Sequence, residues 1–296
     1  MKAATLDAQT KSRIKKIKIL TRRLMASALC GDYLSAFKGS GLEFHQIRDY
    51  VPGDDVRAID WNSFAKMNKI MIKQFVEERE RTILLVFDLS SSTFFSSRQE
   101  LKHDAMANMA ATLAFVANEN RDKVGAIFFA EEIEKWIPPS KGNVHLATII
   151  QHIFEYKQMD KKTNLARALR FLISLKKRGA IVFFISDFID TGSDWVDLFK
   201  IARKEYDLIA VRVTDTCEQA LPDVGLLEVR DSESGSLITL DTKKGQHGVS
   251  YFLTKRMYEQ KRLFEKLRVD LIDVVAGRPF LHDLAYFFKK RIRRQI

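Results

Sequence analysis

The chain has 296 residues, 46% of them apolar, two cysteines and a formal charge of +11 at pH 7. That size suits one large α/β domain or one with a modest appendage. No apolar run approaches the ~20 residues needed to cross a bilayer. Met1 to Thr10 lacks a signal-peptide core, and Cys30 and Cys217 lack metal-ligand spacing, so the expectation is a cytoplasmic protein with free thiols.

The positive charge is concentrated at the two ends. Lys11, Arg13, Lys15, Lys16, Lys18, Arg22 and Arg23 form one cluster, and Lys289, Lys290, Arg291, Arg293 and Arg294 the other. Such clusters can meet nucleic acid or an anionic membrane surface. Neither carries aromatics for base stacking or a DNA-reading motif. Solvated helix faces or an acidic protein partner are therefore the preferred reading; nucleic acid is not expected, and peripheral membrane contact stays compatible.

In chain order, Asp7 to Leu29 reads as a helix with Ile14, Ile17, Leu20 and Leu24 on one face opposite the basic residues. With the loop after Gly31 it makes an N-terminal segment, residues 1–38. Residues 39–80 read as a small β-rich extension. Pro52-Gly53 fits the centre of a type II turn, and Lys69 to Val76 alternates like a strand. Arg48 and Arg57 stand near Asp54, Asp55 and Asp60, a set expected to pair structurally rather than bind a ligand.

From Arg81 onward strand and helix patterns alternate, the signature of a doubly wound, mostly parallel sheet with helices on both faces. Residues 81–296 read as one main domain. Strands are expected at Thr82 to Asp88, Lys123 to Phe129, Ala180 to Ser186, Tyr206 to Val213, Val224 to Val229, Leu237 to Leu240 and Asp270 to Val275. Glu134 to Ile137 is expected to pair antiparallel and to stop at Pro138-Pro139. Helices are expected at Gln99 to Asn118, Val144 to Tyr156, Asn164 to Lys177, Trp195 to Lys204, Tyr251 to Arg268 and Arg278 to Arg294.

Thr82-Ile-Leu-Leu-Val-Phe-Asp88 organises the rest. Its apolar run reads as a strand buried on both faces, and Asp88, Ser90 and Ser92 follow at alternate positions. Open α/β sheets bind ligands just past the carboxyl ends of their strands. Asp-x-Ser-x-Ser alone is weak, arising by chance in roughly one in ten chains of this length. A second apolar strand running into Asp187 strengthens it, as does Thr163, expected as a helix N-cap on the same rim. Two carboxylates and two or three hydroxyls, all oxygen donors, match Mg²⁺ or Mn²⁺. With so few carboxylates the ion keeps positive charge and can accept a carboxylate from another protein, which favours binding over catalysis.

This set resembles the metal-ion-dependent adhesion site of von Willebrand factor A-type domains, which are Rossmann-like. The resemblance implies Ser90 and Ser92 as direct ligands, Thr163 as direct or water-mediated, and Asp88 and Asp187 as mostly water-mediated. More closely, the chain is similar to the bacterial family filed as domain of unknown function fifty-eight. The motifs that carry this are Gly41-Leu-Glu-Phe44, Arg48-Asp-Tyr50-Val-Pro52-Gly53-Asp54-Asp55-Val-Arg57, Ile59-Asp60-Trp61, Phe75-Val-Glu77, Ile185-Ser186-Asp187-Phe188 and Leu221-Pro222-Asp223-Val224-Gly225. Association of that family with MoxR-type AAA+ ATPases implies a non-enzymatic adaptor or co-chaperone acting on protein clients. Two positions depart from the A-type pattern. Lys161-Lys162 precede Thr163 where glycines are frequent, and Thr93 stands where Met is usual.

Alternatives are an A-type fold with a degraded site acting as a metal-independent scaffold, and a basic module for nucleic acid or membrane surfaces. A haloacid-dehalogenase-type phosphatase would need a carboxylate two residues after its nucleophile, where Ser90 stands. No phosphate loop, zinc-protease or serine-hydrolase motif is present, and Ser91 has no nearby His in sequence to activate it.

Overall fold

The computed structural model describes residues 33, 35–37, 43–56, 59–61, 63–64, 69–76, 81–97, 100–156, 161–190, 192, 194–219, 224–230 and 237–295. The expected helix over Asp7 to Leu29, the N-terminal basic cluster, Cys30, Arg57 and the Leu221-Pro222-Asp223 motif lie outside the described residues. The chain divides into two compact units. Phe37–Glu80 form one; the segment up to Ala36 and Arg81–Ile296 form the other.

In the smaller unit, β1 (Glu43–Asp49) pairs antiparallel with β2 (Met71–Val76). The expected turn is present. Asp54 N–H donates to Val51 O at 3.0 Å, and Gly53 has φ 110°, a backbone angle that glycine adopts without steric cost. Arg48 grips Asp54 with two nitrogens at 2.8 and 2.7 Å. The guanidinium bonds, with Val51 N–H, hold the Asp54 carboxyl below its usual range. This part of the Arg/Asp set is thus structural pairing across a turn.

The larger unit is built on a six-stranded sheet in the order β10-β7-β6-β3-β4-β5. Its strands are β3 (Thr82–Asp88), β4 (Lys123–Phe129), β5 (Ile133–Ser140), β6 (Ile181–Ser186), β7 (Asp207–Thr214) and β10 (Asp270–Val275). A separate hairpin joins β8 (Leu226–Arg230) to β9 (Leu237–Asp241). All neighbours in the large sheet run parallel except β5, which is antiparallel to β4. β3 and β6 are buried along almost their whole length, as expected when helices cover both faces. The helices are α1 (Lys102–Glu119), α2 (Asn143–Glu155), α3 (Leu165–Ser174), α4 (Trp195–Glu205), the short α5 (Thr216–Gln219), α6 (Thr242–Leu267) and α7 (Leu281–Gln295).

Two helices explain themselves by composition. In α1, Ala105, Met106, Met109, Leu113 and Val116 are buried, but so are Lys102, His103 and Thr112. A helix apolar on most sides belongs inside a layer rather than at its surface. α3 is amphipathic, burying Leu165, Ala168, Leu169 and Leu172 on one face. That face joins Leu84, Val86, Phe129, Phe184, Phe188, Trp195, Phe199 and Phe264 in one core cluster.

The structure departs from expectation at three element boundaries. β5 does not stop at Pro138-Pro139 but continues to Ser140. It is an edge strand, whose outer side needs no N–H donors, and its pairing with β4 shifts register between Val124 and Ala126. The close approach there requires Gly125: a Cβ would lie 2.9 Å from Pro139 N and 3.0 Å from Ile137 O. Gly125→Ala must displace backbone and should cost about 1–3 kcal/mol, read as an earlier urea midpoint with an unchanged slope.

α6 begins at Thr242, well before Tyr251. The Thr242 hydroxyl donates to Gly225 O at 2.7 Å and faces Val224 N–H at 3.1 Å, fixing the start of the helix. Finally, the N-cap of α3 is Asn164, whose side chain accepts from Arg167 N–H at 2.9 Å. Thr163, expected there, stands one residue earlier. Both residue types are good caps, and the register of the turn decides between them.

The path of the chain places the site. From β3 it goes to one side for β4 and β5, then crosses to the other side for β6, β7 and β10. The order reverses at β3, so a crevice opens past the carboxyl ends of β3 and β6. Asp88 ends β3, and Ser186 ends β6 with Asp187 next.

Candidate metal centre

Asp88 is wholly buried at the strand end. One carboxylate oxygen accepts from Ser90 N–H at 2.9 Å, and the other from the Ser186 hydroxyl at 2.6 Å. Ser186 Oγ in turn accepts from Phe188 N–H at 2.9 Å. The hydroxyl therefore ties the ends of the two central strands together. Phe188 takes a left-handed backbone angle, φ 54°, an uncommon state for a bulky residue. Its ring is buried and meets Phe264 edge-on at 5.0 Å, which anchors the turn that carries Asp187. Phe188→Ala should lose about 3–5 kcal/mol of stability, measurable by chemical denaturation.

Ser91–Phe94 form one 3₁₀ turn directly after β3. The Thr93 hydroxyl closes it on Ser90 O at 2.7 Å, a use that any Met at this position would lack. The turn brings the Ser90 and Ser92 hydroxyl oxygens to 3.1 Å from each other, both buried. Octahedral Mg²⁺ has oxygen ligands at about 2.1 Å, so neighbouring ligands at right angles lie about 3.0 Å apart. The hydroxyl pair therefore has the spacing of two adjacent ligands.

Thr163 is half-buried in the loop before α3. That loop is moored on both sides of it. Ser91 N–H donates to Lys161 O at 2.9 Å and Lys161 N–H returns a bond to Ser91 Oγ at 2.9 Å. After Thr163, Asn164 N–H donates to Ala130 O at 3.1 Å. The lysines before Thr163 thus do not keep the loop off the rim. The Lys161 ammonium itself lies 2.6 Å from Glu134 on β5. Ser91 Oγ takes part in this mooring.

Asp187 is also buried. One oxygen accepts from Ile189 N–H at 3.1 Å and the other from the Lys102 ammonium at 2.8 Å. Lys102 sits in the first turn of α1 and also reaches Glu218 on α5 at 2.6 Å. Burial acts to lower the Lys102 pKa, but Asp187 and Glu218 outweigh it and the group ends above its ordinary value. Asp88 goes the other way from a normal carboxylate. Burial first, then the neighbouring charge of Asp187, push it up to about 7 against the bonds from Ser186 and Ser90. Two carboxylates, Asp187 and Glu218, share the one ammonium of Lys102.

Asp88, Ser90, Ser92 and Asp187 are therefore brought to one place, and Thr163 is held on the same rim. Among the described residues no cluster of three or more His, Cys, Asp or Glu is placed to hold a metal; the candidate shell has only two carboxylates and takes its other donors from hydroxyls. The fit to a hard divalent cation such as Mg²⁺ or Mn²⁺ rests on the hydroxyl spacing and on two buried carboxylates. Sequence reasoning missed Lys102, Ser186 and Glu218. Lys102 carried a signal: a cation in the first turn of a helix opposes the dipole and asks for an acidic partner.

The C-terminal basic cluster is partly used within the fold. Arg291 pairs with Asp207 and Asp270, and Arg294 with Asp270 at 2.8 Å. No helix among the described residues is long and apolar enough to cross a membrane.

Comparison with known proteins gives the following likenesses. The uncharacterized protein Rv1480 of Mycobacterium tuberculosis is 27% identical over 231 residues, 77% of this chain and 73% of its own length. The uncharacterized protein YeaD of Bacillus subtilis is 24% identical over 107 residues, 36% of this chain and 25% of its own. Among solved structures, the conserved hypothetical protein BatB from Bacteroides thetaiotaomicron aligns with TM-score 0.47 at 15% identity, covering 72% of this chain and 99% of that one. A von Willebrand factor type A protein from Catenulispora acidiphila aligns with TM-score 0.37 at 11% identity, covering 72% and 42%. The family described as "Protein of unknown function DUF58" matches residues 46–261, a span that takes in β3, the hydroxyl turn, Thr163 and Asp187, and the chain belongs to that family.

Proposed function

We propose that the protein is a non-enzymatic, metal-dependent binding adaptor or co-chaperone that works with a MoxR-type AAA+ ATPase and its protein clients. Asp88, Ser90, Ser92, Thr163 and Asp187 would hold a Mg²⁺ or Mn²⁺ ion. The observation that carries this reading is the pair of Ser90 and Ser92 hydroxyls at ligand spacing between two buried carboxylates. When bound, the ion supplies a Lewis-acidic position for one carboxylate of a partner. The chain's residues do the rest. Ser186 fixes Asp88, the Lys161–Ser91 bonds fix the loop that carries Thr163, and the Phe188 turn fixes Asp187.

The MoxR-type partner is inferred from the family resemblance. A pull-down of that ATPase from native lysate, with Mg²⁺ and with EDTA, tests it. Capture should need Mg²⁺ and should be lost in Asp88→Ala and Ser90→Ala. Capture indifferent to EDTA and to both changes would contradict the metal mechanism. One observation favours a second reading, a scaffold that needs no metal: the Lys102 ammonium already contacts Asp187. On that reading capture survives EDTA.

A further inference from the structure

The least expected feature of the rim is a buried lysine touching one of the candidate ligands. The Lys102 side chain is 1% exposed and the Asp187 side chain fully buried. Its ammonium bridges Asp187 Oδ2 at 2.8 Å and Glu218 Oε1 at 2.6 Å, with the Phe95 ring 5.8 Å away. Glu218 is itself fixed, because its second oxygen accepts from Asp215 N–H at 2.9 Å. Asp215 accepts from Ser97 N–H, the Ser97 hydroxyl and Cys217 N–H. One carboxylate of the bridge belongs to the candidate shell, and the other stands outside it on α5.

Charge arithmetic gives this arrangement a consequence. Asp187 faces the ion site, but its charge is shared with a resident cation, and the resident cation is shared in turn with Glu218. We infer that Lys102 is a positioning residue that offsets the charge of Asp187, so that a bound divalent ion keeps uncompensated positive charge and stays receptive to a carboxylate from outside. Metal affinity is lower than the donor set alone would give, and the affinity of the bound ion for an anionic ligand is higher. This inference rests on the metal-site reading above.

The two partners of the bridge must then act in opposite senses. Removing the ammonium leaves Asp187 fully charged toward the ion. Removing the Glu218 charge leaves the ammonium acting undivided on Asp187 and the ion. A brace with no electrostatic role would instead loosen the rim in both cases and weaken binding in both.

The test is a titration of the full chain with Mn²⁺, free ion being read by electron paramagnetic resonance, alongside circular dichroism to check folding. Lys102→Met should tighten Mn²⁺ binding at least about tenfold and Glu218→Gln should weaken it about tenfold, since unit charges this near interact by more than that in a protein interior. Lys102→Arg should stay close to the unmodified chain. Should Lys102→Met fail to fold, Lys102→Met/Glu218→Gln replaces it, removing one charge of each sign; it must bind more tightly than Glu218→Gln alone. Both single changes weakening Mn²⁺, or neither moving it, while the unmodified chain binds and Asp88→Ala does not, overturns the role of Lys102 and leaves the metal site standing. No saturable Mn²⁺ binding by the unmodified chain overturns both.

Discussion

Asp88→Asn should make the metal-free protein more heat-stable at pH 8, by about 5 °C, while abolishing any rise in melting temperature on adding Mg²⁺. The reason is the burial of a carboxylate beside Asp187, which lifts Asp88 to about 7 from an ordinary value of 3.8. A group whose folded pKa is raised contributes stability that is fully present below its unfolded value and is lost as pH rises through its folded value. The contribution of Asp88 is therefore present below pH 3.8 and lost by about pH 7 and above. Asparagine keeps the shape, accepting from Ser90 N–H and donating to Ser186 Oγ, without the buried charge. On the proposed metal-centre reading the same residue destabilises the metal-free fold and favours the cation. Differential scanning calorimetry of both forms in EDTA and in Mg²⁺ checks the two signs together. A metal-free Asp88→Asn protein less stable than the unmodified one would show that the carboxylate is satisfied without an ion.

The second large effect is expected at the hydroxyl pair. On the proposed metal-centre reading, Ser90→Ala/Ser92→Ala should weaken Mn²⁺ binding at least about a hundredfold, since the two neutral donors proposed as direct ligands are lost and their supports cannot replace them. The fold should survive. The change removes the Ser90–Ser92 hydroxyl bond and the Ser90 hydroxyl's bond to Asp88, but the turn keeps those made by backbone atoms of Ser90 and by the Thr93 and Ser91 side chains. Far-ultraviolet circular dichroism should be unchanged while the Mn²⁺ titration collapses. A double variant that binds as before would place the ion elsewhere.

Much of the site was readable because it follows from local rules. The run Thr82–Phe87 reads as a strand covered on both faces, which places Asp88 at its carboxyl end, and the second apolar run carries Asp187 to the same rim. The strand–helix alternation carried the doubly wound sheet. What stayed hidden depends on contacts distant in sequence. Lys102 meets Asp187 across 85 residues and Glu218 across 116, and no periodicity in an Ala-rich helix announces which side chain will turn inward. Ser186 was in plain view as the residue before Asp187, but its role is set by an oxygen on a neighbouring strand. β5 ran through two prolines because its position at the sheet edge, a property of the whole topology, removes the need for their missing N–H groups. The helix was expected from Tyr251, yet α6 starts at Thr242, where that residue is tied to Val224 and Gly225.

The most direct test of the central claim is a Mn²⁺ titration of the intact chain, reading the free ion by electron paramagnetic resonance. The metal-centre reading predicts a single saturable ion that Mg²⁺ displaces and that Asp88→Ala cannot hold. A chain that binds no Mn²⁺ at millimolar concentration, or binds it equally well after Asp88→Ala, would contradict it.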